Sequence, residues 1–358
     1  MMKNSSFRFR TLLIATLFLI PWLFYKGMPV FKAPSDRTTV SLISRAEAAE
    51  LTSPVTTPFA GGLKIATWNL DWLTEPGSEA KLPPDAPHRT TEDISRLSHY
   101  AALLDADIIA VQEVAGPDIL RRLFPSDRYV IHLSGDKVAQ RVGFVVRRGL
   151  TVTANPDLSG LDVYGPHAAH HLRSGADITV DLPISAGGGR LRLLTVHLKA
   201  GCRRDAFAKS LRPACATLQA QTIPLTGWIA ERKREGVPFL ILGDFNRWLR
   251  PGDDVLQRME QVTPLKLLTD GRRDPCHHGA SFIDHILAGG AARSWINPES
   301  LRVMTYGAGT TSKPEGQAMR YQLPWTRMPP GKLIQPDSRD GLSDHCPVSI
   351  RLTPPLPH

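Results

Sequence analysis

Eight apolar runs of seven to nine residues recur between positions 63 and 352, and they constrain the fold more than any other feature. They are LKIATWN (63–69), DIIAVQEV (107–114), RVGFVVR (141–147), ADITVDL (176–182), RLRLLTVHL (190–198), VPFLILGDF (237–245), SFIDHILA (281–288) and CPVSIRL (346–352). Each has the length of a strand and is too short for a typical core helix. Two stretches carry helical period instead. Residues 90–105 begin with a Thr cap and an acidic first turn, then place Ile94, Leu97, Ala101 and Leu104 on one face. Residues 215–235 repeat the pattern with Leu218, Ile223, Leu225 and Ile229. So many strands with so few helices predict an α/β sandwich of two or four layers rather than a parallel Rossmann sheet. No G-x-G-x-x-G follows a strand, and there is neither a P-loop lysine nor an internal repeat. Residues 305–342, rich in Gly, Pro and Ser without a period, read as one long surface loop.

A chain of 358 residues with 42% hydrophobic and 22% charged residues is neither disordered, collagenous nor a polytopic membrane protein. The net charge of +9 is unevenly placed: residues 1–62 hold seven Lys/Arg against three Asp/Glu. The remainder has only a modest basic excess, compatible with a phosphate-bearing partner without demanding one. At the N-terminus, Lys3, Arg8 and Arg10 precede an apolar run from Thr11 to Tyr25, closed by Lys26. A basic segment followed by an apolar one is the grammar of an export signal. The run falls short of the ~20 residues of a full span, although Gly27 to Phe31 extend it if Lys26 snorkels. The cleavage-like Ala46-Glu47-Ala48 lies some distance past the run. A cleaved signal and an uncleaved anchor with a cytoplasmic N-terminus therefore both remain, and both place the rest of the chain outside the cytoplasm, periplasmic or extracellular.

The expected organisation is a signal or membrane anchor over 1–32, a Ser/Thr/Pro/Ala-rich tether over 33–62 and one catalytic domain over 63–354, acting as a monomer. In an oxidising compartment Cys202 and Cys215 form a natural pair. Cys276 and Cys346 are a second pair or two free thiols.

The polar residues at the ends of the strands carry the chemistry. Asn69 closes one run; Glu113 follows IIAVQ; His197 sits in LLTVHL; Asp244 and Asn246 sit in LILGDFN; Asp284 and His285 sit in SFIDHIL; Asp344 and His345 sit in LSDHCPV. A single Asp or Asn at a strand end is ordinarily a turn former. Five strand ends bearing carboxylates, amides or imidazoles are not explained by turns, because such groups are costly near a core unless paired or coordinated. Together they supply hard oxygen ligands for Mg²⁺ or Mn²⁺ and imidazoles suited to proton transfer.

The ordered set TWNL (67–70), QE (112–113), HLK (197–199), GDFN (243–246), IDHI (283–286) and SDH (343–345) resembles the endonuclease/exonuclease/phosphatase superfamily. The resemblance spans residues 63–352. It implies a DNase I-like four-layer α/β sandwich, two packed mixed sheets flanked by helices, and metal-dependent hydrolysis of phosphate esters. Position by position, Glu113 resembles the principal metal ligand and Asn69 an adjacent ligand or ligand-orienting group. Asp344 resembles a second-site metal carboxylate or one that supports a metal ligand. Asp244 and Asn246 resemble the pair that positions the attacking water and the scissile phosphate. His345 resembles the catalytic imidazole oriented by Asp284. His197 stands where the nucleases and sphingomyelinases place a histidine. The resemblance also offers Arg141 as a phosphate contact. His285 departs from the Arg or Tyr common after the aspartate, and either reaches substrate or faces away.

Substrate is the less legible part. Arg203, Arg204, Lys209 and Arg212 after His197, with Arg247 and Arg250 beyond GDFN, suit a nucleic-acid backbone. Trp72 and Trp248 lie near site residues and suit base stacking. A sphingomyelinase-like enzyme would need an apolar hairpin, for which YQLPWTRMPP (321–330) is the one candidate; an inositol-phosphate or other small-molecule phosphatase would need extra Lys/Arg. His167, His170 and His171 read as a plain loop rather than a metal tract. The expectation is an exported, metal-dependent phosphodiesterase, nucleolytic in preference to the alternatives, with membrane contact confined to the N-terminal segment.

Overall fold

The computed structural model describes Phe59 and residues 61–78, 82–84, 86–277, 279–306, 322–324 (backbone only) and 342–356. The chain divides into two units, Met1–Val55 and Thr56–His358. The expected leader, nearly all of the tether and most of the 305–342 segment lie outside the described residues. No helix among the described residues is long and apolar enough to cross a membrane.

Two mixed sheets form the second unit. In the first, the order is β12 (Gln322–Pro324), β11 (Arg302–Met304), β13 (Val348–Leu352), β1 (Leu63–Leu73), β2 (Ile108–Val114), β4 (Arg141–Arg147) and β3 (Tyr129–Leu133). In the second, it is β5 (Thr151–Ala154), β6 (Ala176–Asp181), β7 (Arg190–His197), β8 (Phe239–Asp244), β10 (Asp284–Gly289) and β9 (Leu265–Leu267). β1 and β2 run parallel, and so do β7 and β8; the other pairings are antiparallel. The first and last long strands are neighbours, with Leu63 opposite Leu352.

Side-chain alternation assigns four layers. Leu240, Leu242, Ile286, Ala288, Leu191 and Leu193 join the first sheet in one large core, together with Ile94, Leu97, Ala101 and Leu104 of α1 (Thr91–Leu104). On the opposite face of the second sheet, Phe239, Ile241, Leu287, Leu194 and Val196 pack with Leu218, Leu225 and Ile229 of α3 (Pro213–Glu235) and with Val255, Leu256 and Met259 of α4 (Asp254–Val262). A short α2 (Pro117–Leu123) adds Ile119, Leu120 and Leu123 to the first core. This is the expected sandwich of helix, sheet, sheet and helix.

Both expected helices form. Thr90 caps α1 in a reciprocal capping box with Asp93, the arrangement that satisfies orphan amides at both positions. α3 starts two residues earlier than its apolar period, at a proline in the first turn, where the missing N–H costs nothing. Both cysteine pairs are disulfides: Cys202–Cys215 and Cys276–Cys346.

Candidate active site

Strand register lines up the first part of the site. His197 on β7 lies opposite Asp244 on β8, and Asp244 lies opposite Asp284 on β10, so the three form one row across adjacent strands. Each shares the parity of the residues that enter the inter-sheet core, which aims all three between the sheets. Gly243 makes the row possible: its φ is +139°, and a Cβ there would collide with the Val196 carbonyl. His285 has the opposite parity and points away from the site. It is buried, with Nδ1 2.5 Å from Thr269 Oγ1 and Nε2 2.9 Å from the Arg247 carbonyl. Its role is to tie β10 to the chain after GDFN.

The facing sheet supplies Asn69 and Glu113. The β1–β2 register holds to Asn69 opposite Gln112 and resumes only at Leu73 opposite Val114. Between them Asp71, Trp72 and Glu113 take positive φ values of 48°, 55° and 59°. Side chains other than Gly and Asn rarely adopt this region, and each such residue costs of order 1–3 kcal/mol. The bulge turns Glu113 across the gap. Its Oε1 accepts from Asn69 Nδ2 at 3.0 Å and its Oε2 from the Trp72 amide at 3.2 Å. Asn69 Nδ2 also reaches Asp244 Oδ2 at 3.2 Å, while its Oδ1 accepts the Asp71 amide. Asn69 thus orients the two carboxylates.

His197 Nε2 lies 3.5 Å from Glu113 Oε1 and 3.6 Å from Asp244 Oδ2. Asp244 is held in turn by Asn246, whose amide donates to Oδ1 at 2.7 Å and whose Nδ2 donates to Oδ2 at 3.1 Å. His345 Nδ1 lies 2.7 Å from Asp284 Oδ2, and its Nε2 lies 3.9 Å from Asp244 Oδ2. Ser343 fastens this segment to β1, donating to the Asn69 carbonyl and accepting the His345 amide. Trp68 donates to the Tyr306 hydroxyl, which donates to the His345 carbonyl. Asp344 stands at the rim, half exposed, 3.7 Å from His345 Nε2.

The charges are strongly coupled. Burial, reinforced by Asp284, pushes the Asp244 carboxyl up to about 7. His345 is buried yet held well above the ordinary imidazole range, because Asp284, Asp244 and Asp344 outweigh its desolvation. Burial, with Arg173 and His345 nearby, drives His197 well below that range, so it is neutral. The converging Glu113 and Asp244 carboxylates supply oxygen donors of the kind a hard divalent cation takes. Glu113, His197 and Asp244 make one close triad among the described residues, and Asp244, Asp284 and His345 make another.

Several residues at the site carried no clear mark in the sequence. Asp71, half-buried beside Asp344 and Glu113, has its carboxyl raised to about 7, chiefly by desolvation. Arg173 is buried behind His197 and donates to the His197 and Leu198 carbonyls at 2.9 and 3.2 Å. His277 stacks edge-on against His345, with ring centroids 5.2 Å apart, and its Nδ1 bonds Asp274 at 2.7 Å. The Cys276–Cys346 disulfide clamps that pair of neighbours together.

Other expectations resolve differently. Arg247 does not track a substrate: it is 1% exposed and paired with Asp253 at 2.7 Å. Arg203, Lys209 and Arg250 are exposed, Arg204 lies over the Trp248 ring, and Arg212 approaches Asp205. Arg141 opens β4 beside the bulge, opposite Val114, and its Nε is buried without a hydrogen-bond partner. His171 bonds Asp162, and His167 and His170 are exposed; none of the three joins a metal-ligand cluster among the described residues.

Residues 66–345 match the model of the Endonuclease/Exonuclease/phosphatase family. The chain belongs to that family. Its members are phosphoesterase hydrolases. No curated relative matches the sequence. Among solved structures, a truncated TDP2 from Caenorhabditis elegans is similar at 15% identity and a TM-score of 0.48, covering 81% of this chain and 97% of that one. The human Nocturnin catalytic domain is similar at 14% identity and a TM-score of 0.49, with 81% and 93% covered. A family protein from Bacteroides thetaiotaomicron is similar at 16% identity and a TM-score of 0.45, with 81% and 97% covered.

Proposed function

We propose that this phosphoesterase is an exported, divalent-metal-dependent phosphodiesterase whose substrate is nucleic acid. The observation that carries the reading is the convergence of Glu113, His197 and Asp244 beside the hydrogen-bonded Asp284–His345 pair. Glu113 would hold Mg²⁺ or Mn²⁺, with Asn69 orienting its carboxylate. Once bound, the cation supplies Lewis-acid neutralisation of the charge that grows on the phosphoryl oxygens.

The chain's own groups do the rest. Asp244 Oδ2, oriented by Asn246 and Asn69, takes the proton of the attacking water as its oxygen bonds phosphorus, while the P–O bond to the leaving group breaks and the leaving oxygen takes its proton from solvent. His345, charged through Asp284, donates from Nε2 to a non-bridging phosphoryl oxygen and strengthens as that oxygen becomes more anionic. His197 stays neutral and packs the floor of the site, held by Arg173 through its backbone. A nucleic-acid substrate is supported by the exposed Arg203, Lys209 and Arg250. Export is supported by two disulfides, which persist in oxidising compartments, and by the basic-then-apolar N-terminus.

The test offers the full-length protein supercoiled plasmid and choline-phospholipid vesicles side by side with Mg²⁺ or Mn²⁺, using His345→Ala as the blank. Plasmid nicking that vanishes in the variant is the expected result. Lipid cleavage alone would replace the nuclease reading with a sphingomyelinase-like one. Inactivity on both would leave a small phosphate ester as the substrate.

A further inference from the structure

Beside the carboxylate cluster opens a cavity of about 420 Å³, lined in part by Trp72, Lys137, Gln140, His170 and Arg173. Two of its walls are parts of the active site. The Trp72 amide bonds Glu113, and Arg173 bonds the His197 carbonyl on one side and Gln140 on the other. The cavity is therefore next to the scissile position. Its size lies in the range of small-ligand pockets, roughly 300–1,000 Å³.

Its chemistry is the reverse of the cluster it adjoins. Lys137 and Arg173 carry fixed positive charge, His170 and His171 add imidazoles, and among the described residues no carboxylate lines it. A wall of this kind suits an anion and does not suit an acyl chain. Trp72 adds an aromatic surface at a conformational cost. With φ at 55°, it occupies a region where glycine or asparagine would hold the same turn at less expense in free energy. The indole is what the position gains, and it is only half-buried.

We infer that this cavity is the subsite for the nucleotide adjoining the scissile phosphodiester, with the Trp72 indole taking a base on its face and Lys137 and His170 taking the neighbouring phosphate. The inference rests on the nuclease reading and deepens it, because it requires a substrate with both a base and a second phosphate.

The experiment compares kcat/KM of the full-length protein on a single-stranded oligonucleotide and on bis(p-nitrophenyl) phosphate, which has neither a nucleobase nor a second phosphate. Trp72→Ala should lose about tenfold or more on the oligonucleotide relative to its loss on the small diester, chiefly in KM. Trp72→Phe should recover most of that difference. Lys137→Ala should flatten the salt dependence of oligonucleotide cleavage by roughly 0.7 in log–log slope, the value for one single-strand phosphate contact. Equal losses on both substrates would show that Trp72 acts through Glu113 alone and would overturn the subsite. So would oligonucleotide cleavage indifferent to Trp72→Ala and Lys137→Ala, with the nuclease reading left standing. A wild-type protein that hydrolyses the small diester and leaves oligonucleotides intact would overturn the nuclease reading and the subsite with it.

Discussion

His285 makes the stability of this enzyme fall in acid by an amount that can be worked out. Its imidazole is 1% exposed, and burial lowers its pKa from 6.5 to about 4. Nε2 lies 2.9 Å from the Arg247 carbonyl and Nδ1 2.5 Å from the Thr269 hydroxyl, contacts that a neutral ring makes. The unfolded chain takes up this proton below pH 6.5, whereas the folded chain resists it until about pH 4. Acid therefore favours unfolding: the contribution is present above 6.5, shrinks as pH falls, and levels off below 4. At about 1.36 kcal/mol per pH unit, the loss is about 2 kcal/mol between pH 7 and pH 5 and about 3 kcal/mol in full. The assay is urea denaturation of wild type and His285→Asn at both pH values, with disulfides intact. The variant starts less stable, but the wild type should lose about 2 kcal/mol more than the variant on moving from pH 7 to pH 5. Parallel losses in the two proteins would refute the assignment of a buried neutral histidine.

The chemistry should respond separately from the fold. Asp284→Asn, His345→Ala and Glu113→Ala should each lower hydrolysis by about a hundred- to ten-thousand-fold, with circular dichroism unchanged; retained activity in any of them removes that residue from the site. Because the Asp244 carboxyl sits at about 7, Mg²⁺ binding at pH 6.5 should release protons, seen calorimetrically as a buffer-dependent heat. Heats that are the same in every buffer would count against a cation beside Asp244. Arg247→Met removes the charge partner of buried Asp253, leaving it only the Val255 and Leu256 amides at Oδ1, and should cost about 3–5 kcal/mol, read from the denaturation midpoint. Replacing Cys276 and Cys346 by Ser opens a loop of 70-residue separation and should cost about 4 kcal/mol in the chain-entropy view; an unchanged midpoint would contradict it.

The long strands and the polar groups ending them were legible because each group interrupts an apolar run, where burial makes it conspicuous. The edge strands β3, β5 and β9 were not, because their side chains are largely half-buried or exposed and carry little alternation. His285 and Arg247 illustrate opposite lessons. Period-two alternation already separates His285 from Asp284, so its orientation was available from adjacency alone. Arg247 looked like a backbone-tracking cation because its partner, Asp253, lies six residues away across a turn with no period. The bulge that swings Glu113 inward leaves no trace at all, since it depends on φ values at Asp71, Trp72 and Glu113 that none of these residue types prefers. Arg173 was equally hidden, in a loop whose contacts are set wholly by tertiary structure.

The pairing of β1 with β13 bears on the order in which a newly made chain acquires activity. Asn69 comes near the start of the folded unit and His345 close to its end, and Ser343 joins the two. Until the final strand emerges, β1 has a bare hydrogen-bonding edge on that side, open to wrong partners. The site is therefore completed by the most distant contact in the sequence, the kind that forms slowly. A chain ending before Ser343 would contain Glu113, His197, Asp244 and Asp284 and still lack a working centre. The same adjacency brings positions 63 and 352 side by side, so a short linker between them, with new ends opened elsewhere in the chain, should yield a circular permutant whose catalytic strands are made first.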